Sequence, residues 1–352
     1  MIVRFAIDPA ILSVAQIPNV RHDRLIRLWL QQRIGVLVDV KHEDGVRAFG
    51  AAVQKIEDPK IRLLWVTAYA QAVKIDLLRH VRSNASVEYY TPETLKLLAP
   101  HIDVLVIDGP DKGQYGGELV RTNKGSTIRR FTAHPSSQVE LIRLGLFDRA
   151  DEITNALELR QQGNIPHKYS IDSIWQERFH RMFHVSQDVY IVDRFICERH
   201  DEMDDRSGLA RMIEMAKKHS AVNLRNKKIT IYAELPMKSG LGMPKAIQNV
   251  SEQIHEAIKM QDAAPNPFGQ INIQFVPKTW FSNTYKDRYI RFSSVGVIGG
   301  GHGLEVFEGK DYTTRGFKSI SWNSDIDVCK EVEGALASGS DPLDPVVIFA
   351  SD

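Results

Sequence analysis

The sequence predicts an α/β protein of two domains: an N-terminal parallel-sheet domain over residues 1–163 and a second α/β domain over 164–352 that ends in an acidic tail. Three observations predict it. Strand-like β-branched runs alternate with amphipathic helical stretches, the pattern of parallel sheets covered by helices. The chain has 352 residues, more than the roughly 250–300 at which a single core stops growing. Between the halves, Gln161-Gln-Gly-Asn-Ile-Pro166 interrupts both periodicities.

Val3-Arg-Phe-Ala-Ile7 alternates as a strand and stops at Asp8-Pro9, where Pro9 suits the first turn of a helix. A helix over 23–33 sets Leu25, Ile26, Leu28, Trp29 and Leu30 on a broad apolar face and ends before Gly35. Val36-Leu-Val38 reads as a buried strand ending at Asp39, and an amphipathic helix follows Glu43 and Asp44 and runs through Lys55. The run over 61–67 is strand-like, with helix the alternative for so short a segment. Residues 92–98 form a short helix, Ile102-Asp-Val-Leu-Val-Ile107 a strand ending at Asp108, and 136–159 a helix in which Ser137 and Glu140 make a capping box.

In the second half a helix over 171–184 carries Trp175, Phe179 and Phe183, with His180 and His184 four residues apart on one face. No further ligand accompanies them, so they are assigned no metal. A strand over 189–196 ends near Asp193-Arg194, read as a charge pair at the edge of a pocket. It is followed by a helix over 209–218, a strand over 228–234 and a helix over 245–260. An acidic helix over 325–333 and a docking strand Val346-Val-Ile-Phe349 close the chain.

Composition narrows the function. Forty-five basic against 44 acidic residues leave a formal charge of +1, so any attraction for nucleic acid or membrane must come from a local patch. Two cysteines, Cys197 and Cys329, supply neither a zinc quartet nor a disulfide framework, which points to a reducing, cytoplasmic setting. No apolar run approaches the ~20 residues of a membrane span.

Two constellations carry chemistry. In the first half, Asp8, Asp39 with Glu43, and Asp108 with Asp111 stand at or just beyond strand ends, which a parallel sheet gathers on one edge. Carboxylates there can hold a divalent cation, Mg²⁺ or Mn²⁺, for phosphodiester hydrolysis; equally, an aspartate after a strand caps the next helix. Downstream, the Gly- and Arg-rich stretch over 112–134 carries Arg121, Lys124, Arg129 and Arg130 between Tyr115 and Phe131, a composition suited to phosphate contacts with base stacking or to a solvated hairpin. In the second half, Lys286-Asp287-Arg288 opens an alternating strand, Tyr289-Ile-Arg-Phe292. After a tight turn, a second run enters a glycine loop, Gly299-Gly300-Gly301-His302-Gly303. Such a loop lets backbone amides approach an anion, so Lys286, Arg288, Gly301, His302 and Gly303 form a candidate phosphate pocket.

The second constellation resembles a phospholipase D-like domain, closest to the non-catalytic C-terminal domain of MIT-domain proteins. Lys286-Asp287-Arg288-Tyr289-Ile290 matches its charged strand, and Gly301-His302-Gly303-Leu304 its glycine turn. The resemblance covers 175–322. It implies an α/β half-sandwich that binds an anionic ligand or partner protein and can pair as a homodimer. Catalytic members carry His-x-Lys; this sequence has no such triplet, and Lys286 stands where their histidine would, which argues against phosphohistidine chemistry. Residues 1–115 resemble a PIN-type nuclease domain, with Asp8, Glu43 and Asp108 as the implied metal ligands and Asp111 a fourth. Together the resemblances imply a nucleic-acid-binding or -processing protein, a metal-dependent nuclease of a bacterial antiviral defence or mobile-element system, or alternatively a binding scaffold without chemistry.

Overall fold

The computed structural model describes residues 1–13, 18–41, 48–82, 98–107, 129–130, 139–166, 168–196, 207–220, 227–234, 243–259, 266–277, 281, 288–300, 303–307, 318–323, 325–339 and 346–350. The chain divides into two compact units, Met1–Glu158 and Leu159–Asp352. Among the described residues no helix is long and apolar enough to cross a membrane.

The first unit is built on strands β1 (Val3–Ile7), β2 (Gly35–Lys41), β3 (Leu78–Arg82), β4 (Val104–Ile107), β5 (Arg129–Arg130) and β6 (Glu140–Arg143). Their order is β3-β2-β1-β4-β6-β5; the first five run parallel, and the two-residue β5 adds antiparallel to β6. Every residue of β1 and β4 is buried, as expected of parallel strands covered on both faces. Gly35 is required by close approach, since a Cβ there would lie 2.3 Å from the Val3 carbonyl oxygen. Phe5 meets Trp29 edge-on at 5.8 Å and Phe147 at 5.1 Å, and the Trp29 indole donates to the Leu77 carbonyl at 3.2 Å.

Two segments depart from expectation. Residues 61–67 belong to a helix, Pro59–Lys74, because Asp58 accepts from Lys60 N at 2.8 Å and Ile61 N at 3.1 Å, while Pro59 fits the first turn. Ile61, Trp65, Ala68 and Ala72 are its buried face, a spacing of three to four that overrides the local β-branched composition. The expected helix over 136–159 begins only at Asp151. Glu140 is a strand residue paired with Val104, and its carboxylate accepts from Asp151 N at 2.9 Å and Glu152 N at 3.0 Å, capping the Asp151–Gln161 helix from the sheet. The short helix expected over 92–98 lies mostly outside the described residues.

The second unit carries a mixed seven-stranded sheet, β14-β12-β11-β8-β9-β10-β15, in which β8 (Asp188–Val192), β9 (Lys227–Glu234) and β10 (Phe268–Val276) are parallel. Antiparallel additions are β11 (Tyr289–Phe292) on β8, β12 (Gly296–Gly299) on β11, β14 (Ser321–Asn323) on β12 and β15 (Val346–Ala350) on β10. A separate pair joins β7 (Asn164–Ile165) to β13 (Lys318–Ser319). Helices Gly208–Lys218 and Met243–Lys259 connect the parallel strands, and Ile326–Gly339 precedes β15. The β11–β12 turn closes with Val295 N donating to Phe292 O at 2.8 Å and with Ser293 at φ 44°, a left-handed position.

Strand alternation sorts the β11 side chains. Phe292 meets Phe179 at 6.3 Å, within an aromatic group that includes Phe307 at 4.9 Å from Phe179. On the other face, the Tyr289 hydroxyl donates to the Cys329 carbonyl at 3.1 Å, and the Arg291 Nε donates to Glu333 at 2.7 Å, fastening the Ile326–Gly339 helix to the sheet.

Candidate functional site

In the second unit the carboxyl end of β8 passes into Asp193, which is 3% exposed and whose amide donates to Tyr232 O at 3.1 Å. Both carboxylate oxygens of Asp193 accept from the main chain, Oδ1 from Phe195 N at 3.1 Å and Oδ2 from Leu304 N at 3.2 Å. Gly300 N donates to Arg288 O at 3.0 Å. One buried carboxylate thus ties the turn after β8 to the helical turn Gly303–Phe307, and the start of β11 is tied to the glycine run. Gly208 closes against the same turn, where a Cβ would lie 2.1 Å from the Leu304 oxygen.

Two guanidinium groups border this corner. Arg288 lies over the Phe195 ring at 4.6 Å, with Nε 4.0 Å from Asp193 Oδ1, where the attraction is coulombic rather than a hydrogen bond. Arg194 lies over the same ring at 4.4 Å, with Nε 3.3 Å from Glu234 Oε2, and neither of those two atoms makes a hydrogen bond among the described residues. The anticipated Asp193–Arg194 pair is therefore crossed: Asp193 faces Arg288 at the start of β11, and Arg194 faces Glu234 at the end of β9. The Arg194 and Arg288 side chains keep 23% and 14% of their surface. Both guanidinium groups lie over the Phe195 ring, a contact that restrains them before an anion arrives.

Of the other residues expected in this pocket, Gly303 opens the helical turn, while Lys286, Gly301 and His302 lie outside the described residues. Of the basic stretch in the first half, Arg129 and Arg130 form β5, opposite Leu141 and Glu140, and Arg121 and Lys124 lie outside the described residues.

The carboxylate edge of the first unit resolves into unequal parts. Asp8 follows β1, is buried, and donates its amide to Val106 O of β4 at 2.8 Å, while its carbonyl accepts from Ile11 N at 3.1 Å. The strand order reverses between β1 and β4, the place where open α/β sheets form a ligand crevice. Asp39 lies within β2 rather than at its end and is fully buried. Its Oδ1 accepts from Phe49 N at 3.0 Å, and its Oδ2 from Gly50 N at 3.1 Å and the Tyr69 hydroxyl at 2.8 Å. Those bonds cap the Ala48–Gln54 helix and take three of the roughly four acceptor sites of the carboxylate, so Asp39 is engaged as a structural cap. Glu43, Asp108 and Asp111 lie outside the described residues. Among the described residues no group of three His, Cys, Asp or Glu side chains is arranged to hold a metal ion.

The His180 and His184 rings lie 6.0 Å apart, tilted at 53°, and His219 lies 6.2 Å from His180. Both His219 ring nitrogens are engaged, Nε2 with Asp172 at 2.8 Å and Nδ1 with Gln176 at 2.6 Å, which makes this a hydrogen-bonded surface network. Hydrogen bonds from Lys218 and His219 hold the Asp172 carboxyl below its usual range. On the sheet face covered by Ile326–Gly339, burial pushes the Tyr232 hydroxyl up to about 12 and the Cys329 thiol up to about 11, so neither ionises near neutrality. Sequence reasoning missed the Arg291–Glu333 pair and Phe195. The one signal for the latter was its place directly after Asp193-Arg194.

No known protein-family model matches the chain, and no curated protein matches it.

Proposed function

We propose that this protein binds the phosphodiester backbone of nucleic acid through the carboxyl edge of the second-unit sheet, with Arg288 and Arg194 as the phosphate-contacting groups. The observation that carries the reading is the pair of guanidinium planes set on one Phe195 ring beside a glycine run. Arginine presents a planar fork of donors to phosphate oxygens, and orientation on an aromatic ring removes much of the ordering cost. The sequence of strand, helix, strand, helix, strand and hairpin from β8 to β12 also supports a phospholipase D-like reading of this unit. The site is a binding site in this account, since the sequence has no His-x-Lys nucleophile.

Fluorescence polarisation of labelled single-stranded and duplex oligonucleotides tests the reading. The native chain is expected to bind, and Arg194→Ala with Arg288→Ala to bind at least tenfold more weakly at equal folding. Equal affinity would remove this corner from consideration; binding confined to a different polyanion or to a protein would favour a scaffold.

A second reading rests on Asp8, a buried carboxylate placed where the strand order of the first unit reverses. It makes the first unit a PIN-like cleavage domain. The reading leaves Asp39 out of the site, because its carboxylate already accepts three hydrogen bonds. Incubation of single- and double-stranded substrates with Mg²⁺ or Mn²⁺ decides it: cleavage lost in Asp8→Asn supports the reading, and no cleavage in the native chain ends it.

A further inference from the structure

We infer that Asp193 and Glu234 are specificity-determining residues that make the arginine corner prefer a singly charged phosphodiester to a doubly charged terminal phosphate. The inference rests on the binding reading above and adds to it a rule of charge. Each guanidinium of the corner faces a carboxylate, Arg288 with Asp193 and Arg194 with Glu234, and both carboxylates are almost completely buried. The two pairs sum to zero charge, so the arginines do not present two uncompensated positive charges. Among the described residues they present directed donors, each faced by a carboxylate.

A guest then contributes its own charge without full compensation. A diester phosphate carries one negative charge at every pH of interest, whereas a terminal phosphate carries about −1.5 to −2 at pH 7, its second ionisation lying near 6. Each added charge meets two carboxylates that burial screens poorly from it. Neither carboxylate can swing away at low cost. Asp193 is held by the amides of Phe195 and Leu304, and Glu234 is 4% exposed at the end of β9. Repulsion built in this way discriminates by what it rejects.

The test uses the full chain and competition against a labelled oligonucleotide. The competitors are a dinucleoside monophosphate, which has one diester and no terminal phosphate, and a nucleoside 5′-monophosphate. At pH 8 the diester should compete on the order of tenfold more effectively, a discrimination typical of one like charge at partly buried range. At pH 5.5 the monophosphate takes up its second proton, and the advantage should shrink toward parity. Glu234→Gln, which keeps the side-chain shape, should narrow the pH 8 preference, and Asp193→Asn should do the same where it folds. A monophosphate that competes equally well at pH 8, or a preference that does not change between pH 8 and 5.5, would overturn the inference while leaving the binding reading intact. If the native chain does not bind the labelled oligonucleotide, the binding reading itself falls, and the inference with it.

Discussion

Asp39 is where a metal-ligand role and a structural role predict opposite things. Replacement by alanine removes the acceptor for two main-chain amides and one hydroxyl, leaving Phe49 N, Gly50 N and the Tyr69 hydroxyl without it. Each hydrogen bond to a charged group contributes about 1.5–3 kcal/mol, with the half-buried Tyr69 and Gly50 at the low end because water partly replaces the carboxylate. Their sum, discounted for that solvation, is about 3–4 kcal/mol. Asp39→Asn keeps one acceptor oxygen but points an amide at a donor, and about 2 kcal/mol should be lost; Tyr69→Phe should lose about 1 kcal/mol. The assay is amide hydrogen exchange at Phe49 and Gly50, which reports local opening without assuming that two units melt together. A loss of about 3 kcal/mol accelerates exchange roughly 100-fold in Asp39→Ala, with or without metal. Unchanged exchange, together with a fall in Mn²⁺ affinity, would refute the structural role and return Asp39 to the set of ligands.

Glu333→Gln should destabilise the second unit by about 3–5 kcal/mol in denaturant titration, because it strands the buried Arg291 guanidinium. Replacing both partners with apolar residues should recover most of that loss, and no recovery would mean the pair is worth more than its mutual compensation. Burial raises the Glu140 carboxyl above its ordinary value of 4.5 against the pull of two backbone amides. The folded state therefore holds that proton more tightly than the unfolded chain, and this contribution to stability is present below pH 4.5 and lost as pH rises through the raised value. Relative to Glu140→Gln, the native chain should lose stability from pH 4.5 upward; a relative gain would reverse the assigned sign. Gly208→Ala, whose new methyl meets the Leu304 carbonyl, should displace the turn held by Asp193 and weaken oligonucleotide binding severalfold although residue 208 contacts no ligand. Unaltered affinity in a folded variant would show that this turn does not shape the site.

How much was legible follows from what each signal measures. Strands β1, β2, β4, β8, β9, β11 and β12 could be read because continuous or alternating β-branched runs report burial directly. The docking strand at the end of the chain was found in the same way and lies on β10. Residues 61–67 misled because Ile61, Leu63, Leu64, Trp65 and Val66 satisfy both periods locally, and only Asp58 with Pro59 upstream marks the helix start. Glu140 looked like the third residue after a cap, whereas its partner helix begins eleven residues later, a contact made through the sheet. The site was half legible. Arg288 and the glycine run stand together in sequence, but Asp193 meets Leu304 across 111 positions, and no local pattern encodes that contact. Asp39 reads in sequence as a candidate metal ligand; only its partners, in two separate helices, distinguish a cap from a ligand.

The salt dependence of oligonucleotide binding tests the central claim most directly. Each phosphate neutralised on a single strand contributes about −0.7 to the slope of log K against log salt. If Arg194 and Arg288 each contact a phosphate, converting both to alanine should reduce the magnitude of the slope, by at most about 1.4, because the carboxylates that face them already offset part of their charge. An identical slope in the native and doubly substituted chains would contradict the account.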